Sequence, residues 1–161
     1  MAFPITLSGL TPREAVLDAL YRASLAFDTG SVALLHSALT PDAVFDLNGR
    51  VLTGIEAILA QSFAVVAKLD TTHFVTNPRV DLKDGGTEAA VTTGFLAQHY
   101  RLGTGGQGDA ARYLVGGVYL VDLVRDEEGE GGLWRARRWV IKSTWSEGDR
   151  GVMTGEPEQQ T

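Results

Sequence analysis

The chain has 161 residues, which at about 150 residues per domain leaves room for one domain with one core. It is 44% hydrophobic and 21% charged, an ordinary globular balance, and with no cysteine it has no disulfide, no thiolate nucleophile and no cysteine-ligated zinc or iron–sulfur centre. Fourteen basic residues against twenty acidic ones give a net charge of −6, so nucleic acid and anionic membrane surfaces are not expected partners. Any chemistry must come from carboxylates, imidazoles and phenols.

Met1 to Leu10 carries no Lys or Arg and too short an apolar run for a signal segment, and the most hydrophobic window, Ile55 to Leu69, is broken by Glu56, Gln61 and Lys68. A cytoplasmic protein is the expectation. Thr11-Pro12-Arg13-Glu14 has the form of a capping box, opening a helix through Val16, Leu17, Leu20, Ser24 and Phe27 that ends at Asp28-Thr29-Gly30. Ser31 caps a second helix through Val32, Leu35, Ala38 and Leu39, stopped by Thr40-Pro41. Ala43 to Leu47 and Arg50 to Thr53 read as short strands around an Asn48-Gly49 turn. Ile55, Ile58, Leu59, Ser62, Phe63, Val66 and Leu69 mark a third amphipathic helix. The period then changes to two, which predicts strands over Thr72 to Leu82, Glu88 to Leu102, Arg112 to Arg125 and Leu133 to Ser146. Turns fall at Asp84-Gly85-Gly86, Gly103 to Gly108 and Glu127 to Gly132. Helices first and sheet second is an α+β order: three N-terminal helices packed in a strongly curved, mostly antiparallel sheet, forming a cone with an apolar pocket. The expected domain runs over residues 1–149, with a flexible polar tail over 150–161.

Asp28, His73 and His99 form the first candidate site. Imidazoles titrate near neutrality, so two beside a carboxylate can serve as base and acid. Asp28 sits at the negative end of the first helix, where a carboxylate is locally disfavoured; it either serves the site or only caps the Asp-Thr-Gly turn. Asp122 interrupts an apolar strand. Alternation puts Val118, Leu120 and Asp122 on one face and Tyr119, Val121 and Leu123 on the other. Facing inward, Asp122 must be paired or protonated; facing outward, it is a solvated charge. Gly116-Gly117 suggests a bulge or a close approach. Gly103 to Gly108 matches G-x-G-x-x-G but precedes a strand rather than a helix, so it reads as a mobile hairpin loop that could serve as a lid. Arg135, Arg137 and Arg138 beside Trp134 and Trp139 read as an outward strand face, and His36 as a surface residue. No metal-ligand spacing is present, and neither a metal nor a cofactor is expected.

The order of elements, together with Phe27-Asp28, Thr71-Thr72-His73-Phe74 and Ala97-Gln98-His99-Tyr100, resembles the SnoaL-like, scytalone-dehydratase-like branch of the cone-shaped α+β fold named for nuclear transport factor two. The resemblance covers roughly Thr11 to Glu147. It implies a cofactor-independent lyase or isomerase that dehydrates, cyclises or isomerises a polyketide- or terpenoid-like polycyclic intermediate of secondary metabolism. In that reading His99 is the principal base or acid, His73 the second proton carrier and Asp28 their orienter. Asp122 matches a position where the family has a substrate-contacting Asn. The pocket wall would draw on Leu20, Phe27, Phe45, Phe63, Phe95, Tyr119, Leu120 and Trp139. Phe27 and Leu47 stand where the dehydratases hold a water with tyrosines, so the carbonyl-polarising half of the site is expected to differ. The fold also serves noncatalytic ligand-binding and assembly modules, the competing reading. A hydrophobic small molecule is the expected ligand, and a homo-oligomer, dimer or trimer, the expected assembly, because an open curved sheet exposes an apolar outer face.

Overall fold

The computed structural model describes residues 3–126 and 132–154. Helix α1 runs over Pro12–Thr29, with both arms of the capping box made: Thr11 Oγ1 accepts from the Glu14 amide at 3.3 Å and Glu14 Oε2 from the Thr11 amide at 2.7 Å. Gly30 ends it in the left-handed conformation at φ 68°, which only glycine adopts without strain. The buried stripe is Val16, Ala19, Leu20, Ala23 and Ala26; its alanines let the helix lie close against the sheet. Helix α2, Val32–Ala38, is capped by Ser31. It ends one residue before the expected stop, because Leu39 already belongs to strand β1, Leu39–Leu47, which takes in Thr40 and Pro41. Proline is tolerated there because the β1 ladder is irregular between Leu39 and Val44.

Strand β2, Arg50–Thr53, returns through the Asn48-Gly49 turn, where both residues have positive φ. The third helix is not continuous. It consists of α3, Ile55–Ile58, a π-helical turn, Leu59–Phe63, and α4, Ala64–Val66. Strands β3 (Asp70–Leu82), β4 (Glu88–Tyr100), β5 (Arg112–Arg125) and β6 (Trp134–Gly148) follow. Their order is β2-β1-β6-β5-β4-β3, with β1 parallel to β6 and every other pair antiparallel. This is the expected α+β architecture: a mixed, mostly antiparallel sheet that stays open, with helices against one face.

Alternation decides what faces the helices. On β4 the inward set is Ala89, Val91, Thr93, Phe95, Ala97 and His99; on β5 it includes Tyr119, Val121 and Leu123. Arg22 of α1 is buried among these layers. Its guanidinium reaches Asp18 at 2.7 Å, the Ser37 hydroxyl at 2.9 Å, the Ser37 carbonyl and the Trp134 carbonyl at 2.8 Å, so one cation fastens α1 to α2 and β6.

Gly116-Gly117 does mark a bulge in the β5–β6 ladder. A methyl at Gly117 would collide with the Lys142 carbonyl, and one at Gly116 with the Trp145 ring. The expected tail begins differently: Gly151–Thr154 form a short helix α5 whose Val152 is buried, packed against α4, β4 and β5. Residues 155–161, and most of the Glu127 to Gly132 turn, lie outside the described residues. No helix among the described residues is long and apolar enough to cross a membrane.

Candidate active site

The last turn of α1, the start of β3 and the end of β4 bring Asp28, His73 and His99 together on the inner side of the sheet. Asp28 Oδ1 lies 2.6 Å from His73 Nδ1, and the His73 backbone amide donates to both carboxylate oxygens at 3.0 and 3.1 Å. These donors offset the unfavourable helix end at which the carboxylate sits. An ionised carboxylate only accepts, so it holds the Nδ1 hydrogen of His73 and leaves Nε2 to carry the lone pair of the neutral ring.

The His99 ring lies 5.4 Å from that of His73, centroid to centroid, at 69°. Its Nδ1 is 2.7 Å from Thr71 Oγ1, and its ring is stacked at 6.3 Å on Tyr113. His99 is only 3% exposed. Burial, reinforced by the charge of His73, pulls its pKa from the ordinary 6.5 down to about 4, against an upward pull from Asp28. At neutral pH the His99 ring is uncharged. The two imidazoles are therefore not equivalent: Asp28 hydrogen-bonds His73 and not His99, whereas the expectation had it orienting both.

The apolar wall is a connected set of rings. Phe27 lies 5.9 Å from His73, 5.3 Å from Phe63 and 6.4 Å from Phe45; Phe45 meets Trp139 at 5.9 Å; Trp139 meets Tyr119 edge-on at 5.2 Å; and Tyr119 stacks on Phe95 at 4.1 Å. Burial, then the charge of Asp28, pushes the Tyr119 phenol well above its ordinary pKa, so it stays protonated and able to donate a hydrogen bond. Tyr100 is on the outer face, bonded to Gln98.

Asp122, the expected substrate contact, and two expected wall residues, Leu120 and Leu20, are elsewhere. Asp122 points outward, half exposed, with Arg138 4.0 Å away, and Leu120 shares that outer face because the unbroken alternation of β5 puts Tyr119, Val121 and Leu123 inward. Leu20 is fully buried in α1 as core. The three arginines of β6 each meet an acid: Arg135 with Asp126, Arg137 with Glu88, Arg138 with Asp122. His36 is exposed on α2, as expected. No cluster of three or more His, Cys, Asp or Glu suited to a metal occurs among the described residues.

Sequence reasoning gave Thr71 and Tyr113 no role, although both contact His99. For Thr71 a signal was present, since a period of two puts it on the same face of β3 as His73. The Gly-rich loop is held rather than free: the Asp70 carboxylate accepts from the Gly105 amide at 2.9 Å, and the backbone amides of the loop, that of Gly105 foremost, lower its pKa.

This architecture is that of a cone-fold protein, and a family model for the SnoaL-like domain matches residues 8–140, so the chain belongs to the SnoaL-like domain family. It is 45% identical over 152 residues to the terrestric acid biosynthesis cluster protein E of Penicillium crustosum, covering 94% of this chain and 96% of that one. Among solved structures it is similar to a scytalone dehydratase candidate from Novosphingobium aromaticivorans, with a TM-score of 0.70 and 19% identity over 86% of this chain and 87% of that one. It is also similar to a type 2 hexachlorocyclohexane dehydrochlorinase, with a TM-score of 0.69 and 20% identity over 87% and 90% of the two chains.

Proposed function

We propose that the protein is a lyase or isomerase of secondary metabolism that needs no cofactor and acts on a hydrophobic, oxygenated polycyclic substrate. The observation that carries this is the 2.6 Å Asp28–His73 hydrogen bond beside a second, uncharged imidazole and a connected set of aromatic rings. A relative named for a biosynthesis cluster supports a small-molecule tailoring role, and the structural neighbours support the fold.

His73 Nε2 takes the proton alpha to a substrate carbonyl, and Asp28 stabilises the imidazolium that forms. The electron pair passes to the carbonyl oxygen as an enolate. The imidazolium then delivers a proton, after exchange of the abstracted one with solvent, either to a departing hydroxyl on the neighbouring carbon, which leaves as water, or to another carbon, which isomerises the substrate. Phe27, Phe45, Phe63, Phe95 and Trp139 exclude water and hold the apolar body, and the Tyr119 phenol donates to a second substrate oxygen away from the reacting carbonyl.

The test is a panel of hydroxylated polycyclic ketones incubated in deuterium oxide and followed by mass spectrometry. Deuterium incorporation or loss of water that disappears in His73→Ala supports the reading. Ligand binding without turnover, unchanged in Asp28→Asn, overturns it in favour of a binding module. The outer sheet face supports a homo-oligomer, since Phe74 and Trp145, both about half exposed, bracket a cross-strand row with Leu96 and Gly116.

A further inference from the structure

Phe27 lies 5.9 Å from His73, and its side chain cannot donate a hydrogen bond. If His73 is to remove a carbon-bound proton, a donor beside it must stabilise the charge that develops on the substrate oxygen.

We propose that Thr71 donates its hydroxyl hydrogen to His99 Nδ1 and thereby fixes His99 as an Nε2–H donor aimed at the substrate oxygen. Thr71 is thus a positioning residue, and His99 the electrophile. The inference rests on the acid–base reading above and assigns the second imidazole within it.

The 2.7 Å contact allows two hydrogen placements. If His99 Nδ1–H donates to Thr71, the threonine hydrogen needs another acceptor, and among the described residues Thr71 Oγ1 has no other protein partner. If the hydroxyl donates instead, its hydrogen is used and the ring nitrogen it meets is satisfied, while the neutral ring keeps its single hydrogen on Nε2. Burial supports the neutral ring. Neither imidazole Nε2 has a protein partner among the described residues. The free atoms are therefore complementary: His73 Nε2 accepts and His99 Nε2–H donates, from rings 5.4 Å apart.

This division closes the chemistry without an unreasonable intermediate. An uncharged imidazole that gave up its last hydrogen would become an anion in a buried site. As a hydrogen-bond donor it loses nothing: it stabilises the enolate oxygen while His73 takes up and gives up a proton. The substrate class is narrowed accordingly to compounds whose carbonyl oxygen meets His99 while the adjacent C–H meets His73.

Long-range proton–nitrogen correlation spectra of the full-length, 15N-labelled protein near neutral pH test this directly, with no substrate. The expected result is His99 Nδ1 resonating as an unprotonated nitrogen and Nε2 as a protonated one. Thr71→Val should shift both signals towards an averaged mixture of tautomers, and Thr71→Ser should restore the wild-type pattern. A protonated Nδ1 in the wild type overturns the proposal, as does a folded Thr71→Val variant with unchanged His99 signals. The wild-type spectrum decides even where Thr71→Val does not fold. Failure here leaves the Asp28–His73 base intact, because that reading fails instead through retained turnover in His73→Ala.

Discussion

Asp28 shows how a residue that breaks a local rule is explained by what it meets. At the end of α1 its carboxylate opposes the helix dipole, and the His73 amide and ring, 3.0 and 2.6 Å away, repair the conflict. Asp28→Asn keeps the shape but no longer fixes the His73 hydrogen on Nδ1 or stabilises the imidazolium. Turnover should fall by about 100- to 10,000-fold, measured as kcat on the substrate the panel identifies. His99 predicts a pH effect on stability. Its folded pKa of about 4 lies below the ordinary 6.5, so between these values the unfolded chain binds a proton that the folded one does not. The contribution is complete above about pH 6.5 and is lost as pH falls towards 4, on the order of 3 kcal/mol. Denaturant unfolding across that range should show a steeper acid loss for wild type than for His99→Gln. The sequence identified Asp28, His73 and His99 by type and by order along the chain. Asp122 and Leu120 were misplaced because alternation separates two faces without saying which is inner. Tyr119 and Leu120, being neighbours, could not both line one wall.

Among the elements, the capping box of α1, the Ser31 cap of α2 and the period of two made the first two helices and the long strands legible almost to the residue. The π-helical turn at Leu59–Phe63 was not legible, since the same apolar spacing suits a continuous helix and only the fit of Phe63 against Phe27, at 5.3 Å, distinguishes them. Gly117 was legible as a bulge but not in its cause, the Lys142 carbonyl that occupies the space of a side chain. Gly117→Ala should cost about 1–3 kcal/mol in chemical denaturation, because backbone rather than a movable side chain must shift. The β4–β5 loop belongs to this scale as well. Its composition suggests mobility, yet Asp70 binds its backbone amides. Asp70→Asn should speed hydrogen exchange at Gly103 to Gly105 while leaving the amides of β4 and β5 protected.

For the whole molecule, burial of one cation and exposure of one apolar row set the expectations. Arg22 ties α1, α2 and β6 together, so Arg22→Ala strands Asp18, Ser37 and the Trp134 carbonyl and should cost about 3–5 kcal/mol in denaturant unfolding. The outer row of Phe74, Leu96 and Trp145 should be covered by a second copy; sedimentation should show an oligomer for wild type and a smaller species for Trp145→Glu. By itself the sequence determined the α+β order, the strand registers' turn points, the acid–base residue types and the exclusion of cysteine chemistry. Each of these follows from local spacing or from composition, which need no knowledge of distant contacts. The tertiary structure alone decided that Asp28 bonds His73 and not His99, that Thr71 meets His99, and that Tyr119 rather than Leu120 faces inward. Those choices depend on which strand lies beside which and on which face of the sheet the helices cover, relations between residues dozens of positions apart that no local pattern encodes.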